Sequence, residues 1–172
     1  NHDNACLNPV AHIQRPVVLD RITNPAYINA TNPLVADPLR QFDMCPVSDG
    51  AAAVLLVAQD KQEALGFGHK KFVRVAGIAS ATDTHVVANR EEPSDLLAVR
   101  LSAKKAYEMA GMGPEDIDVA ELHDAFQILE IEEAEEVGFF PRGEGHLAVR
   151  RGDTKIGGKL PINTSGGLKA KG

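Results

Sequence analysis

The hydrophobic and polar positions of this chain predict short strands that alternate with amphipathic helices. Apolar runs at 51–57, 72–79 and 119–122 carry few charges and are typical of strands buried in a sheet. Apolar residues recur at helical spacing over 96–110 and 128–137, with charged residues between them. This alternation predicts an α/β fold in which helices cover a parallel or mixed sheet.

Turn residues predict where these elements begin and end. The first long helix is expected to begin at Pro93, because proline suits the first helical turn, and to stop at the glycines of 111–114. A shorter helix is expected over 59–65, ending at Gly66. Segment 1–43 is rich in asparagine and proline and predicts loops with short helical pieces, and His146 lies in a predicted turn.

The stretch from Ala120 to Phe126 places a histidine between a predicted strand and a predicted helix. His123 and Asp124 follow the strand directly, and Asp124 stands where an N-cap is expected. Sites in open α/β sheets are built outside the carboxyl ends of strands, where helix N-termini favour negative charge. His123 is therefore a candidate site residue. The alternative interpretation is a buried histidine with a structural hydrogen bond, and this stretch alone does not decide between the two.

A second polar motif follows a predicted strand near the end of the sequence. Apolar residues at 160–162 lead into Asn163-Thr-Ser-Gly-Gly167. Glycines permit positive φ and a close approach of the backbone to a neighbour. We expect this loop to lie beside His123.

Composition narrows the function classes. With 172 residues, 44% of them hydrophobic, the chain is long enough to bury one ordinary core or two small ones. The net charge of −6 and the absence of a basic cluster argue against nucleic acid as a partner. No apolar run is long enough for a membrane span, no leader pattern is present, and a cytoplasmic location is expected. Cys6 and Cys45 lack metal-ligand spacing, so reduced thiols and no metal site are expected.

Several motifs in collinear order resemble the thiolase superfamily. His123-Asp-Ala-Phe126 is similar to the motif of archaeal and sterol-carrier-type thiolases, where other members have Asn-Glu-Ala-Phe. The run 160–172 resembles a segment of the C-terminal half. Asp37-Pro-Leu-Arg40 and Cys45-Pro-Val-Ser-Asp-Gly-Ala-Ala-Ala-Val54 resemble the segment that closes the first half, and Asn1 to Pro9 resembles a stretch of the same subgroup. Long motifs in the right order are far more specific than one short pattern.

The resemblance implies a layered α/β/α/β/α thiolase-like fold with mixed five-stranded sheets, here incomplete. Residues 1–66 correspond to the end of the N-terminal half, and 67–172 to a C-terminal half truncated before its last catalytic motifs. The family's nucleophilic cysteine, its Gly-His-Pro histidine and its second reactive cysteine have no counterpart in this sequence. We therefore expect an internal piece of a longer protein, with exposed apolar edges such as 51–57. A split subunit and a homologue that has lost catalysis are the alternatives.

The resemblance also implies the chemistry and its residues. It predicts acyl transfer on coenzyme A thioesters, with coenzyme A or acyl-CoA as substrate and no tightly bound cofactor. His123 would donate a ring N–H to a thioester enolate in an oxyanion hole. The implied loop residues are Asn163, Ser165, Gly166 and Gly167, and the implied coenzyme A or acyl contacts are Cys45 and Phe126. For Cys45, filling the core is the alternative.

Three functions stay open on the sequence alone. The first is part of a thiolase that forms or cleaves acetoacetyl-CoA or other 3-ketoacyl-CoA thioesters. The second is a thiolase-fold aldolase or lyase, although known members tend to have tyrosine at the position of His123. The third is a non-catalytic acyl-CoA or lipid-binding subunit. The resemblance further implies a homodimer or tetramer, and for the archaeal type a small OB-fold and zinc-ribbon partner.

Overall fold

A computed structural model describes residues 1–9, 24–66 and 72–172. Its α-helices and strands, in chain order, are α1 (His2–Leu7), α2 (Ile28–Thr31), β1 (Leu34–Ala36), β2 (Leu39–Arg40), α3 (Leu97–Ala110), α4 (Gln127–Glu136), α5 (Gly145–Arg151) and α6 (Gly167–Lys171). Short 3₁₀-helices lie at Gln41–Asp43, Gln59–Lys61, Val87–Asn89 and Pro114–Asp116. The predicted boundary between the two halves, at 66/67, adjoins residues 67–71, which lie outside the described residues.

Strands β1 and β2 form an antiparallel hairpin around a turn at 37–38, with Leu34 opposite Arg40. Within the described ranges this is the only sheet. The hairpin lies in the segment predicted as loop with short helical pieces. Part of that segment, 10–23, lies outside the described residues.

The prediction of strands at 51–57 and 72–79 is wrong. Both runs are free of regular secondary structure, and no described strand pairs with either. Most of their apolar side chains are exposed, including Val54 at 82% and Val73 at 97%. An apolar run becomes a strand only when a neighbouring strand supplies hydrogen bonds. The expected exposure of 51–57 in an incomplete sheet is confirmed, and the five-stranded sheets are not present in the described part of the chain.

The predicted strand before His123 does find a partner, although only as a single bridge. Ala120 and Ile162 form a parallel bridge, in which the Ala120 N–H donates to the Pro161 carbonyl at 3.1 Å. The Asn163 N–H returns a bond of 2.8 Å to the Ala120 carbonyl. The carboxyl ends of parallel segments share an edge, so His123 and Asn163 lie at the same side of the pair.

The core lies next to that edge. Helices α4 and α5 pack their small and apolar side chains against the two parallel segments. The buried cluster consists of Ala134, Phe140, Ala148, Leu160 and Ile162, and the partly buried residues against it are Ile117, Ala120, Leu122 and Phe139. Because both segments take part in this core, packing against it holds their carboxyl ends in place.

The helix predicted over 59–65 is wrong, because only the 3₁₀-helix Gln59–Lys61 and turns are present there. The two longer helices end close to their predicted positions. Helix α3 stops at Gly111, which is left-handed with φ of 67°, and α4 spans most of the predicted range. The predicted start of α3 is wrong, because the helix begins at Leu97 rather than at Pro93. The reason is that Asp95 binds the guanidinium groups of Arg100 and Arg142 and does not cap the helix.

The turn-rich connection predicted around His146 is wrong at its end, because helix α5 begins at Gly145 and includes His146. The Glu135 carboxylate accepts the Gly143 and Gly145 N–H groups at 2.7 and 2.8 Å. A side chain from α4 therefore satisfies donors at the start of α5. No helix among the described residues has the length and apolar character needed to cross a membrane.

Candidate functional site

Three segments that are distant in sequence meet at the carboxyl ends of the parallel pair. The Cys45 N–H donates to the Ala125 carbonyl at 2.9 Å, and Met44 and Phe126 form an antiparallel bridge. Lys169 Nζ donates to the Phe42 carbonyl at 2.5 Å. The segments that carry the three sequence motifs therefore form one region, and the predicted site residues all lie on them.

His123 is exposed at the tip of this region. Its backbone N–H donates to Glu133 Oε2 at 2.8 Å, which ties the end of the strand to α4. Burial raises the pKa of the Glu133 carboxyl, and the bond from His123 opposes that shift. Among the described residues His123 is therefore not buried, which differs from the alternative interpretation of a buried structural histidine. Its imidazole is accessible to a molecule that approaches the edge.

Asp124 is buried and caps a helix other than the one predicted. Helix α4 is capped at Phe126 without a side-chain bond, so the expected N-cap role of Asp124 there is a correction. Instead, Asp124 Oδ1 accepts the Leu168 N–H at 2.7 Å, in the first turn of α6. Its other oxygen accepts the Asn1 amide at 2.5 Å. A carboxylate at a helix N-terminus is favoured by the helix dipole.

The two glycines of the loop sit where a side chain would not fit. Gly166 and Gly167 have φ of 92° and 60°. A Cβ at Gly167 would lie 2.5 Å from an Asp124 carboxylate oxygen, and a Cβ at Gly166 would lie 2.6 Å from the Ala5 Cβ. The close backbone approach that the sequence predicts is present at both positions.

Asn163 links the two parallel segments to α4. Its side chain is fully buried, and its φ of 52° is in the left-handed region that asparagine tolerates. Its Oδ1 accepts the Leu122 N–H at 2.8 Å, and its Nδ2 donates to Glu130 Oε2 at 2.6 Å. The residue therefore shapes the loop from inside and does not face the open edge.

Ser165 is held by a carboxylate that the sequence analysis did not single out. Its Oγ donates to Glu121 Oε2 at 2.5 Å, and its N–H donates to Glu121 Oε1 at 2.9 Å. Lys171 Nζ donates to the same hydroxyl at 2.6 Å. Glu121 is the one charged residue in the apolar run 119–122, and that exception was the available signal.

Helix α1 contributes a row of amides that sequence reasoning left without a role. Asn4 Nδ2 donates to the Ile162 carbonyl at 2.7 Å, and Asn8 Nδ2 donates to the Thr164 carbonyl at 2.9 Å. Asn1 Nδ2 reaches Asp124 and Glu130, each at 2.5 Å. Asn4 lies within α1, and Asn1 and Asn8 are the cap residues at its two ends. Together these side chains hold the strand and loop that end in the site.

Glu130 was also missed, because it belongs to the predicted polar faces of α4. It is 9% exposed, and its carboxylate accepts the amides of Asn1 and Asn163. Burial raises its pKa, while those two hydrogen bonds oppose the shift. A buried carboxylate next to a candidate site has either a structural or a functional role, and its partners favour a role in holding the loop.

The remaining predicted contacts are accessible. Phe126 is 37% exposed and Cys45 is partly exposed with a free thiol. Both lie on the bridged segments next to His123. Among the described residues no group of three or more histidine, cysteine, aspartate or glutamate side chains is placed to hold a metal ion.

Comparison with known families gives one match that covers most of the second part of the chain. The family model described as "Thiolase C-terminal domain-like" matches residues 79–172. That range includes every residue of the predicted site except Cys45.

Individual relatives agree over the whole chain. Acetyl-CoA acetyltransferase of Methanothermobacter thermautotrophicus is 39% identical over 172 residues, which is 100% of this chain and 42% of the relative. Sterol carrier protein 2 of Rattus norvegicus is 37% identical over 177 residues, covering 100% of this chain and 30% of the relative. The chain thus spans less than half the length of these curated relatives.

A solved structure shares the fold. The structure named "Ltp2-ChsH2(DUF35) aldolase" superposes with a TM-score of 0.79 and 32% sequence identity, over 96% of this chain and 42% of the other. The predicted thiolase-like α/β fold, incomplete here, is confirmed.

Proposed function

This chain belongs to the thiolase family, and from that premise we propose that it is part of an acyltransferase acting on 3-ketoacyl-CoA thioesters. One observation carries the proposal. An exposed His123 stands at the carboxyl end of a parallel segment, beside the glycine loop that begins at Asn163. The acetyl-CoA acetyltransferase relative supports the reaction class.

The reaction joins two acetyl thioesters into acetoacetyl-CoA and free coenzyme A, or runs in the reverse direction. Both directions pass through a thioester enolate and a tetrahedral intermediate, in opposite order, and each species carries negative charge on an oxygen. Preorganised N–H donors stabilise such charge more in the transition state than in the substrate. A site for this reaction therefore needs rigidly held donors at an accessible edge.

His123 supplies such a donor. Its backbone is fixed by the bond to Glu133 and by the neighbouring Asp124, whose carboxylate holds the first turn of α6. The ring is exposed, so a ring N–H is free to meet an enolate oxygen. Loss of one oxyanion-hole donor typically lowers the turnover number about 10²- to 10³-fold.

The loop and its neighbours position the substrate. Asn163, Gly166 and Gly167 take left-handed backbone conformations that let the loop pass close to Asp124 and α1. Ser165 is held by Glu121. On the opposite side, Cys45 and Phe126 are proposed to contact the pantetheine or acyl group of the thioester, since both are accessible and bridged to the same edge.

Other catalytic groups are proposed to come from outside residues 1–172. The nucleophilic cysteine and the Gly-His-Pro histidine of the family have no counterpart in this sequence. The activity is therefore proposed for the whole protein. We further propose that the whole protein forms a homo-oligomer and binds a second protein component, such as the one in the name Ltp2-ChsH2(DUF35).

A second candidate function is a thiolase-fold aldolase. One observation favours it, namely the superposition on the aldolase structure. In an aldolase the same edge would stabilise a thioester enolate as it is released by cleavage of a β-hydroxyacyl thioester. That reaction needs the enolate donor but no acyl-cysteine.

Assays of the full-length protein separate the two. Incubation with acetoacetyl-CoA and coenzyme A should release acetyl-CoA if the protein is a thiolase. A β-hydroxyacyl-CoA should stay intact under the same conditions. Aldehyde or ketone release from the hydroxyacyl thioester, without thiolysis of acetoacetyl-CoA, would identify the aldolase instead.

A further inference from the structure

Helix α4 presents two carboxylates to the ends of the parallel pair. Glu130 and Glu133 are three residues apart and so share one face of the helix. Glu133 accepts the backbone N–H of His123, and Glu130 accepts the side-chain amide of Asn163. One helical face therefore holds both strand ends that carry the candidate site.

The contact from Glu130 leads to His123 through covalent and hydrogen bonds. Glu130 Oε2 accepts Asn163 Nδ2 at 2.6 Å, and Asn163 Oδ1 accepts the Leu122 N–H at 2.8 Å. Leu122 is the residue before His123 in the chain. The orientation of the Asn163 amide therefore fixes the segment that ends in His123.

Asn163 also has a left-handed backbone that its surroundings hold in place. Its φ of 52° is left-handed, and its side chain is fully buried. A non-glycine residue in this region persists where the surroundings hold it. Four bonds do so here: the two to its side chain, the bond from its own N–H to the Ala120 carbonyl, and the Gly166 N–H bond to its carbonyl.

We propose that Glu130 is a positioning residue for the proposed reaction, which aligns His123 with the glycine loop by holding the Asn163 amide. This inference rests on the proposed function. Glu130 does not touch the open edge, since it is 9% exposed and its partners are Asn1 and Asn163. It acts through Asn163. Hydrogen bonds from amides to a carboxylate are stronger than those between neutral groups, so the fixation depends on a carboxylate at this position.

The test uses full-length protein and three variants, Glu130→Gln, Asn163→Asp and the double variant. Glu130→Gln replaces the carboxylate that accepts from Asn1 and Asn163 by a neutral amide, which weakens both hydrogen bonds. Asn163→Asp places a second carboxylate next to that of Glu130, so the amide donor of this hydrogen bond is lost. In the double variant the introduced glutamine donates and the introduced aspartate accepts, so the link is rebuilt with donor and acceptor exchanged. Aspartate also tolerates the left-handed backbone.

Each single variant should lower the turnover number by about 10- to 100-fold, the scale expected when a catalytic group is misplaced. The Michaelis constant for acetoacetyl-CoA should stay within about twofold, because the substrate contacts are unchanged. The turnover number of the double variant should be at least about tenfold higher than that of the less active single variant. Glu132→Gln, on the same helix but outside these hydrogen bonds, is the control and should behave like the wild type.

Melting temperatures measured on the same samples separate positioning from support of the fold. Single variants that melt earlier but turn over at the wild-type rate per folded molecule would overturn the inference. A double variant that is no more active than the single variants would also overturn the inference. This holds even if one of the single variants does not fold. A folded wild-type protein without thiolysis would instead refute the proposed function itself, so the two failures are distinguishable.

Discussion

Asp124 and Leu168 are joined across 44 positions of the chain by a hydrogen bond of 2.7 Å from the Leu168 N–H to Asp124 Oδ1. The residue next to His123 therefore caps the helix that follows the glycine loop. The His-Asp pair at the strand end divides two tasks between its members. His123 is exposed at the edge, while Asp124 is buried and secures the second motif.

Removal of this cap should destabilise the protein. In Asp124→Ala, the partly buried Leu168 N–H loses its acceptor and the Asn1 amide loses one of its two acceptors. The expected loss in unfolding free energy is about 1 to 3 kcal/mol. Urea unfolding of the full-length protein measures it, with exposed Asp118→Ala as the control. Equal midpoints for the two variants would contradict the capping role.

Replacement of Gly167 by alanine should be more damaging than its backbone angle alone predicts. Gly157→Ala is a matched control, because Gly157 also has positive φ, of 85°, but a Cβ there meets no atom within 4 Å. Each variant should lose about 1 to 2 kcal/mol from the left-handed backbone. Gly167→Ala should lose more, since its Cβ would overlap the Asp124 carboxylate. Similar melting temperatures would show that the loop yields at this contact.

The stability of the fold should depend on pH through Glu130. Burial raises the pKa of Glu130 in the folded state, so the folded protein binds more protons than the unfolded chain between the ordinary and the raised value. The contribution of Glu130 to stability is then fully present below the ordinary glutamate pKa and is lost as pH rises through the raised pKa. Glu130→Gln should flatten the decrease in that window. An unchanged pH slope in urea unfolding would contradict this coupling.

The 172-residue chain on its own should self-associate. Its apolar runs at 51–57 and 72–79 are exposed and have no paired strand in the described residues. Contiguous exposed apolar surface and unpaired edges promote aggregation. Light scattering after size exclusion should show large species that decrease in Leu55→Lys, with Leu147→Lys on α5 as the control. A monodisperse monomer with a sharp thermal transition would argue against this expectation.

The sequence predicted those parts of the site that depend on local order. The strand end before His123, the glycine loop after 160–162 and the helix that stops at Gly111 each have their cause within a few neighbouring residues. The family motifs added that the strand end and the loop belong to one fold. Their meeting at one edge follows from the parallel pairing of Ala120 and Ile162.

The remaining features depend on partners that are distant in the chain. Asp124 looks like the cap of α4 until the position of Leu168 is known. Glu130 is one of several glutamates in a helix, and nothing in its spacing shows that Asn1 and Asn163 enclose it. Helix α5 begins where Glu135 supplies an acceptor. Spacing within a segment cannot reveal such contacts, because fold topology creates them.

The role of His123 is tested by the turnover number of two variants of the full-length protein. His146→Ala, which removes an exposed histidine on α5, is the control and should retain wild-type turnover. His123→Asn should be more active than His123→Ala, because an amide N–H can replace the ring donor directly or through an ordered water. Melting temperatures of all variants should stay close to that of the wild type, since the His123 ring is exposed.

The most direct measurement is the turnover number of His123→Ala in the thiolysis of acetoacetyl-CoA. If His123 donates to the thioester enolate, the turnover number should fall about 10²- to 10³-fold. The Michaelis constant should change little, because this bond strengthens only as charge develops on the oxygen. Wild-type turnover by a folded His123→Ala protein would contradict the assignment of His123 to the oxyanion hole.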